Sequence, residues 1–141
     1  MCVFDVKAEL LNEQIYNLLA PSVFNPTPQK LLLRAQEYFA ADNIHAYAFL
    51  QDGEYVGIII FEIKDNIATI NDFAVNDEYR NKGIGSKLVN CIVDKFNANI
   101  IIAETDDDAV GFYQKFGFEI REIESKYDCK RYICKFSSNC T

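Results

Sequence analysis

No stretch of this 141-residue chain approaches the ~20 consecutive apolar residues that a membrane helix requires, so no membrane partner is expected. The first residues, Met1-Cys2-Val3-Phe4-Asp5, have neither a basic region nor a long apolar core. They do not read as a signal peptide, and the expected location is the cytoplasm. Positive charge is scarce: 14 Lys and Arg stand against 21 Asp and Glu, for a net charge of −7. That balance argues against a nucleic-acid surface. It is compatible with a cationic ligand, although solubility alone also explains an acidic surface. There is one histidine, His45, and none of the five cysteines forms a Cys-x-x-Cys pair. Cys129, Cys134 and Cys140 cluster near the end of the chain but make no zinc spacing with His45, so neither a metal site nor a disulfide framework is expected. Cys91 falls near the apolar face of a helix and reads as core. No serine or cysteine is arranged with a histidine for nucleophilic catalysis.

Half of the residues are hydrophobic, which excludes a disordered chain, and the length suits one domain over residues 1–141. The organising stretch runs from Val75 to Ser86. An apolar, β-branched segment, Ile67 to Val75, precedes it and reads as a strand. Ile84, Leu88, Ile92 and Phe96 follow at helical spacing. The turn between them carries Arg80, Asn81, Lys82, Gly83, Ile84, Gly85 and Ser86 at the start of the helix. The first N–H groups of a helix have no partner within it and lie at its positive end. Glycines permit close approach to that backbone, and two cations add charge, so the turn reads as an anion site suited to a diphosphate. It is not a Walker loop, because no Gly-Lys-Ser/Thr follows at the right spacing. It is not the Gly-x-Gly-x-x-Gly dinucleotide fingerprint either, because Leu88 stands where the third glycine belongs.

The order Arg-x-x-Gly-x-Gly between a strand and a long amphipathic helix resembles the coenzyme A pyrophosphate loop of the GNAT superfamily of N-acetyltransferases. A second stretch, Ala109 to Phe118, resembles that superfamily's other signature: a short helix carrying Phe112-Tyr113 and closed by Gly117-Phe118. The resemblance covers about Ile67 to Phe118. It implies a mixed α/β fold with a mostly antiparallel central sheet and helices on both faces. It also implies acetyl-CoA as cosubstrate and transfer of its acetyl group to an amine by direct attack; the alternative is a non-catalytic acyl-CoA-binding regulatory module on the same fold. The amine is unidentified, and monomer and homodimer both stay open. By the same resemblance the sheet splays between the strand ending at Val75 and the one near Asn99 to Glu104. The pantetheine arm then pairs with Phe73, Ala74 and Val75, where a backbone N–H can also polarise the thioester carbonyl. Tyr113 is the candidate general acid, its hydroxyl lying near the coenzyme sulfur. Phe112 and Asp106 are implied as cofactor contacts, although at 106 the superfamily frequently has asparagine and a carboxylate cannot donate to the pantetheine amides. Glu104 and Asp72 are the candidate bases, with a structural role or proton transfer to water as the alternatives for each.

A first strand covers Cys2 to Asp5, and Leu10, Leu11, Ile15, Leu18 and Leu19 predict one helix from Lys7 to Ala20, stopped by Pro21. Thr27 and Pro28 predict a helix start, with Leu31, Leu32, Ala35, Tyr38 and Phe39 on its apolar face and its end near Asp42-Asn43. By resemblance, Ser22 to Asn25 borders the acceptor side, against an ordinary surface connection. Three strands follow in a meander, His45 to Gln51, Tyr55 to Lys64 and Ile67 to Val75. The turn Gln51-Asp52-Gly53-Glu54 supplies the hairpin signal. His45 reads as structural or surface, and Glu62 either as a solvated strand end or as a carboxylate lining the site. Asp106 or Asp107 is expected to cap the helix before Tyr113. Two closing strands, Glu119 to Ser125 and Tyr127 to Phe136, are expected as a hairpin covering one side of the sheet.

Overall fold

A computed structural model of the chain describes residues 2–124 and 130–137. Seven strands, β1 (Val3–Asp5), β2 (Ile44–Gln51), β3 (Glu54–Lys64), β4 (Ile67–Val75), β5 (Ile100–Asp106), β6 (Glu119–Ile123) and β7 (Arg131–Ser137), form one sheet in the order β1-β2-β3-β4-β5-β7-β6. Only β4 and β5 pair in parallel; every other neighbouring pair is antiparallel. Helices α1 (Glu13–Tyr16) and α2 (Pro28–Ala40) lie on one face, and α3 (Ile84–Phe96) and α4 (Val110–Phe116) on the other. The expected mixed α/β sheet with helices on both faces is therefore the fold. No helix among the described residues is long and apolar enough to cross a membrane.

Each face has its own core. Phe61, Ile59, Leu88, Val89, Ile92 and Ile101 fill the side under α3, while Leu10, Leu19, Ile58 and Ile60 fill the side under α1 and α2. Strand β3 contributes to both, as its nearly continuous apolar run requires of a strand buried on two faces. The hairpin turns are set locally. Asp52 and Gly53 both take positive φ, and so do Asp65 and Asn66, as two-residue turns matched to the strand twist demand.

Three expectations are corrected. The single helix over Lys7–Ala20 is instead a 3-10 turn (Lys7–Glu9), α1, and a second 3-10 turn (Asn17–Ser22). Asn12 breaks it by accepting the backbone N–H of Gln14 with its side chain, and Pro21 is carried inside the second turn. Leu10, Leu18 and Leu19 remain buried, but Leu11 is exposed. On α2, Phe39 is likewise exposed, and the helix ends earlier than expected, at Ala40. There the Lys7 ammonium donates to the carbonyls of Ala41 and Ile44 at 2.6 and 2.5 Å, where a cation is favoured by the helix dipole. Finally, the closing hairpin does not cover the sheet but extends it: β7 inserts between β5 and β6, from Ile100↔Ser137 to Asp106↔Arg131. The residues expected to end and begin those two strands, Ser125 and Tyr127, lie outside the described residues, as do Cys129 and Cys140. Cys2, Cys91 and Cys134 are free thiols, and burial pushes Cys91 up to about 11.

The α2 start follows the sequence reading, with the Thr27 side chain accepting the Lys30 N–H at 3.1 Å and Pro28 opening the helix. Thr27→Ala is expected to cost ~1 kcal/mol, lowering the melting temperature by about 3–4 °C for a chain of this size; thermal unfolding by circular dichroism measures it.

Candidate active site

The parallel ladder between β4 and β5 is three residues long, from Ile67↔Ile100 to Thr69↔Ile102. Beyond it the strands part. Phe73, Ala74 and Val75 stay paired on their other side with Ile59, Ile58 and Gly57 of β3, and Glu104 to Asp106 with Ile133 to Arg131 of β7. The two edges facing the gap carry no ladder, so backbone donors and acceptors there are available to a ligand that pairs like a strand.

A β-bulge lies at the same place. The β3–β4 register jumps from Phe61↔Ile70 to Ile60↔Asp72, leaving Asn71 as the extra residue. Before the bulge Ala68 and Ile70 point into the core under α3; after it Phe73 and Val75 do. Asp72 and Ala74 thereby turn to the α1/α2 face. Without the extra residue Asp72 would enter an apolar core. Instead it meets three donors: Ser22 Oγ at 2.7 Å, Arg34 Nη1 at 2.9 and 3.0 Å, and the Tyr38 hydroxyl. Burial, followed by this carboxylate, raises the Tyr38 pKa.

At the other end of β4 the chain makes a 3-10 turn (Asp77–Tyr79) and enters α3. Asn81 and Gly83 take positive φ (62° and 82°). The two glycines of the loop do different work. A Cβ at Gly83 would meet nothing within 4 Å, so its role is conformational and the backbone lies open. A Cβ at Gly85 would lie 2.9 Å from Phe112 Cε1 and 3.1 Å from Phe73 Cζ, so packing of aromatic rings requires that glycine. The Ile84, Gly85 and Ser86 amides begin α3; the first return bond is Lys87 N–H to the Gly83 carbonyl, at 3.1 Å. Arg80 folds back, its Nε on the Val75 carbonyl at 3.2 Å and its Nη2 on Asp77 at 3.1 Å, while Lys82 stands over the Tyr79 ring.

Aromatic contacts join this loop to Tyr113: Phe112 and Phe73 are 5.1 Å apart between ring centres, and Phe73 and Tyr113 6.1 Å. A Schellman turn fixes Tyr113 in place. Gly117, at φ 119°, donates to Gln114, and Phe118 donates to the Tyr113 carbonyl, which brings the Phe118 ring to 5.0 Å from that of Tyr113. Burial raises the Tyr113 pKa above its usual 10.0, so the phenol keeps its proton across the neutral range.

Of the candidate bases, Glu104 lies on the α1/α2 face, opposite buried Ala103 and Thr105, with Oε2 held by Arg131 Nε and Nη2 at 3.2 and 3.0 Å. Asp72 and Glu104 thus flank the gap on one face. Neither Asp106 nor Asp107 caps α4, whose N-cap position is Ala109; Asp107 instead accepts the Tyr132 hydroxyl at 2.6 Å. Asp106 Oδ1 accepts the Asp108 and Ala109 N–H groups, closing the turn that precedes the helix. Glu62 is a strand-end carboxylate on Asn43, and His45 stacks on Phe61 and lies tilted against Phe96, away from the gap. Of the loop Ser22 to Asn25, Ser22 reaches Asp72, while Phe24 is 85% exposed. Among the described residues no group of His, Cys, Asp and Glu could hold a metal ion.

Sequence reasoning missed Arg34 as part of this cluster. The available signal was its position three residues after Leu31 and four before Tyr38, a charge within an apolar stripe.

A family model described as the acetyltransferase (GNAT) family matches residues 12–118. No curated protein matches the chain. Among solved structures, an aminoglycoside 6'-N-acetyltransferase complexed with coenzyme A superposes with a TM-score of 0.79 at 16% identity, over 97% of each chain. The ribosomal-protein-S18-alanine N-acetyltransferase from Escherichia coli gives 0.74 at 16% identity, over 99% of this chain and 94% of that one. An acetyltransferase from Thermus thermophilus gives 0.73 at 13% identity, over 97% of each. Likenesses at these identities speak for the fold.

The ring packing around Gly85 makes a prediction. Gly85→Ala should lower stability by about 1–3 kcal/mol through overpacking, and by less in a Phe112→Leu background. Urea denaturation of the four chains of this double-mutant cycle checks it, and additivity would contradict the contact.

Proposed function

The chain belongs to the acetyltransferase (GNAT) family, and on that footing we propose that it transfers the acetyl group of acetyl-CoA to an amine by direct attack. The observation that carries this reading is the continuity of the site: an open helix N-terminus with cations beside it leads along an unpaired strand edge to a buried, protonated tyrosine. Acetyl-CoA supplies the acetyl group, whose carbonyl carbon takes the amine nitrogen as the carbon–sulfur bond breaks. No enzyme-bound intermediate is needed.

The residues divide the work. The Ile84, Gly85 and Ser86 amides, with Arg80, Asn81, Lys82 and Gly83 around them, hold the diphosphate. The edge of Phe73, Ala74 and Val75 pairs with the pantetheine amides, and one of its N–H groups polarises the thioester carbonyl. Phe112 backs the path. Asp106, with Oδ1 committed to its own turn, has only Oδ2 to offer the cofactor as an acceptor. Tyr113 donates its proton to the departing sulfur.

For the proton leaving the amine, the two carboxylates differ. Both oxygens of Asp72 are engaged by Ser22, Arg34 and Tyr38, which suits a positioning role. Glu104 holds Arg131 through Oε2 alone, and Oε1 has no partner among the described residues. Glu104, directly or through water, is therefore the proposed base.

Two variants with opposite signatures test the proposal. Ser86→Glu adds a negative charge where the α3 dipole favours it, so the fold should hold while acetyl-CoA affinity falls about tenfold or more. Tyr113→Phe keeps the ring packing, so affinity should be unchanged while turnover falls by ~10²-fold, the low end for general acid catalysis because a thiolate leaves readily. Because the Tyr113 pKa is raised, turnover in the unaltered protein should show no loss of the acid form as pH rises from 7 to 10. Calorimetry and a thiol-release assay with an amine panel give both constants. Unchanged affinity in Ser86→Glu would remove the loop from the reading. Turnover within about twofold in Tyr113→Phe would remove Tyr113. Binding with no amine turned over would favour a non-catalytic acyl-CoA-binding module.

A further inference from the structure

Both carboxylates flanking the gap are held by arginines, Asp72 by Arg34 and Glu104 by Arg131. This reverses the charge that the α2 side of the site offers to an acceptor. Asp72 is 4% exposed, with Oδ1 taken by Ser22 and Arg34 and Oδ2 by Tyr38 and Arg34. It has no oxygen to give to a cationic amine. The side chain of Arg34 is 37% exposed against 2% for Asp72. It commits only Nη1 to the carboxylate, at 2.9 and 3.0 Å. The Tyr38 hydroxyl also lies against this guanidinium, and neither Nε nor Nη2 is bonded to the carboxylate. That edge of a guanidinium is the one that takes a carboxylate side-on through two parallel N–H···O bonds.

We propose that the acceptor is an amine that also carries a carboxylate, an amino-acid-like molecule, and that the Nε–Nη2 edge of Arg34 binds this carboxylate. The inference rests on the N-acetyltransferase reading of the site and names its substrate class. Three observations carry it. Arg34 is on the same face as Asp72 and Glu104, beside the gap where β4 has lost its partner. Its guanidinium is held by a buried carboxylate, so little side-chain freedom remains to be lost on binding. The α3/α4 face of the gap is filled by the Phe73, Phe112 and Tyr113 rings, which leaves the face of Arg34 for the acceptor. Arg131 adds a second positive group across the gap, but its pair with Glu104 is 30% and 54% exposed, and such pairs are weak and mobile. The net charge of −7 opposes an anionic acceptor only at long range, since exposed charges are screened beyond ~8–10 Å at ordinary ionic strength.

Matched pairs test this. Amino acids from glycine to 6-aminohexanoic acid, with the common α-amino acids between, are compared with their own carboxamides at equal concentrations of neutral amine. The assay is thiol release from acetyl-CoA. At least one free acid should exceed its carboxamide about tenfold or more in kcat/KM, and Arg34→Lys, which keeps a cation on Asp72 but lacks the side-on edge, should reduce the ratio to within about twofold while acetyl-CoA affinity is unchanged. Turnover confined to amines without a carboxylate, or a preference that survives Arg34→Lys, overturns the proposal. The pairs on the unaltered protein decide the matter even if the variant fails to fold. If nothing is acetylated, calorimetry of the same pairs against the coenzyme A-saturated protein separates the claims. Binding of the free acid alone keeps Arg34 as a carboxylate site while the catalytic reading falls; binding of neither, or equal binding of both, overturns the assignment.

Discussion

The early end of the parallel pairing between β4 and β5 is the constraint on which the site depends. Three paired residues hold the two strands together, and everything after Thr69 and Ile102 is free to part. A parallel pair would be expected to continue where its backbone is covered, because each unpaired buried backbone group costs free energy comparable to a lost hydrogen bond. The opening is supported from both outer sides. β3 keeps the far edge of β4 in register, and β7, by inserting next to β5 rather than covering the sheet, does the same for β5 through Asp106. The gap is thus an opening within a continuous sheet.

The bulge at Asn71 is coupled to that opening. One extra residue exchanges the faces of all that follow, putting Phe73 in the aromatic group with Phe112 and Tyr113 and turning Asp72 toward α2. Asp72 then ties three elements to the strand: the 3-10 turn through Ser22, and α2 through Arg34 and Tyr38. Asp72 is buried while Arg34 is partly exposed, so these three donors replace the hydrogen bonds that water would otherwise give the carboxylate. On the opposite face the ring contacts run from Gly85 through Phe112 and Phe73 to Tyr113. The loop before α3 and the tyrosine are therefore held in one packed unit, and the mouth between the strands lies beside it.

Much of this was legible in the sequence because it is set locally. The Thr27-Pro28 start of α2, the Asp52-Gly53 turn, the strand–loop–helix around Gly83 and Gly85, and the Gly117-Phe118 close of α4 are each specified within a few residues. Most of what escaped depends on distant partners. The Lys7–Ala20 segment is the local exception: it has helical spacing, yet the Asn12 cap interrupts it, and the leucines reach the core from 3-10 turns instead. The bulge cannot be read from Ile67 to Val75, because it exists only relative to β3. Asp72 and Glu104 were visible as carboxylates near the right strands, but their arginines come from α2 and β7, 38 and 27 residues away in the chain. Gly85 was read for ligand approach, and the rings that fill its missing side chain come from β4 and α4.

The central claim is that the unpaired edge of β4 and the start of α3 together seat the cosubstrate. Amide hydrogen exchange with and without saturating acetyl-CoA tests it most directly. The account predicts slowed exchange in two separate segments, Phe73 to Val75 and Gly83 to Ser86, with little change in β1 and β2, which are remote from the gap. Slowing confined to the α3 start, or protection elsewhere with the β4 edge unaffected, would contradict it.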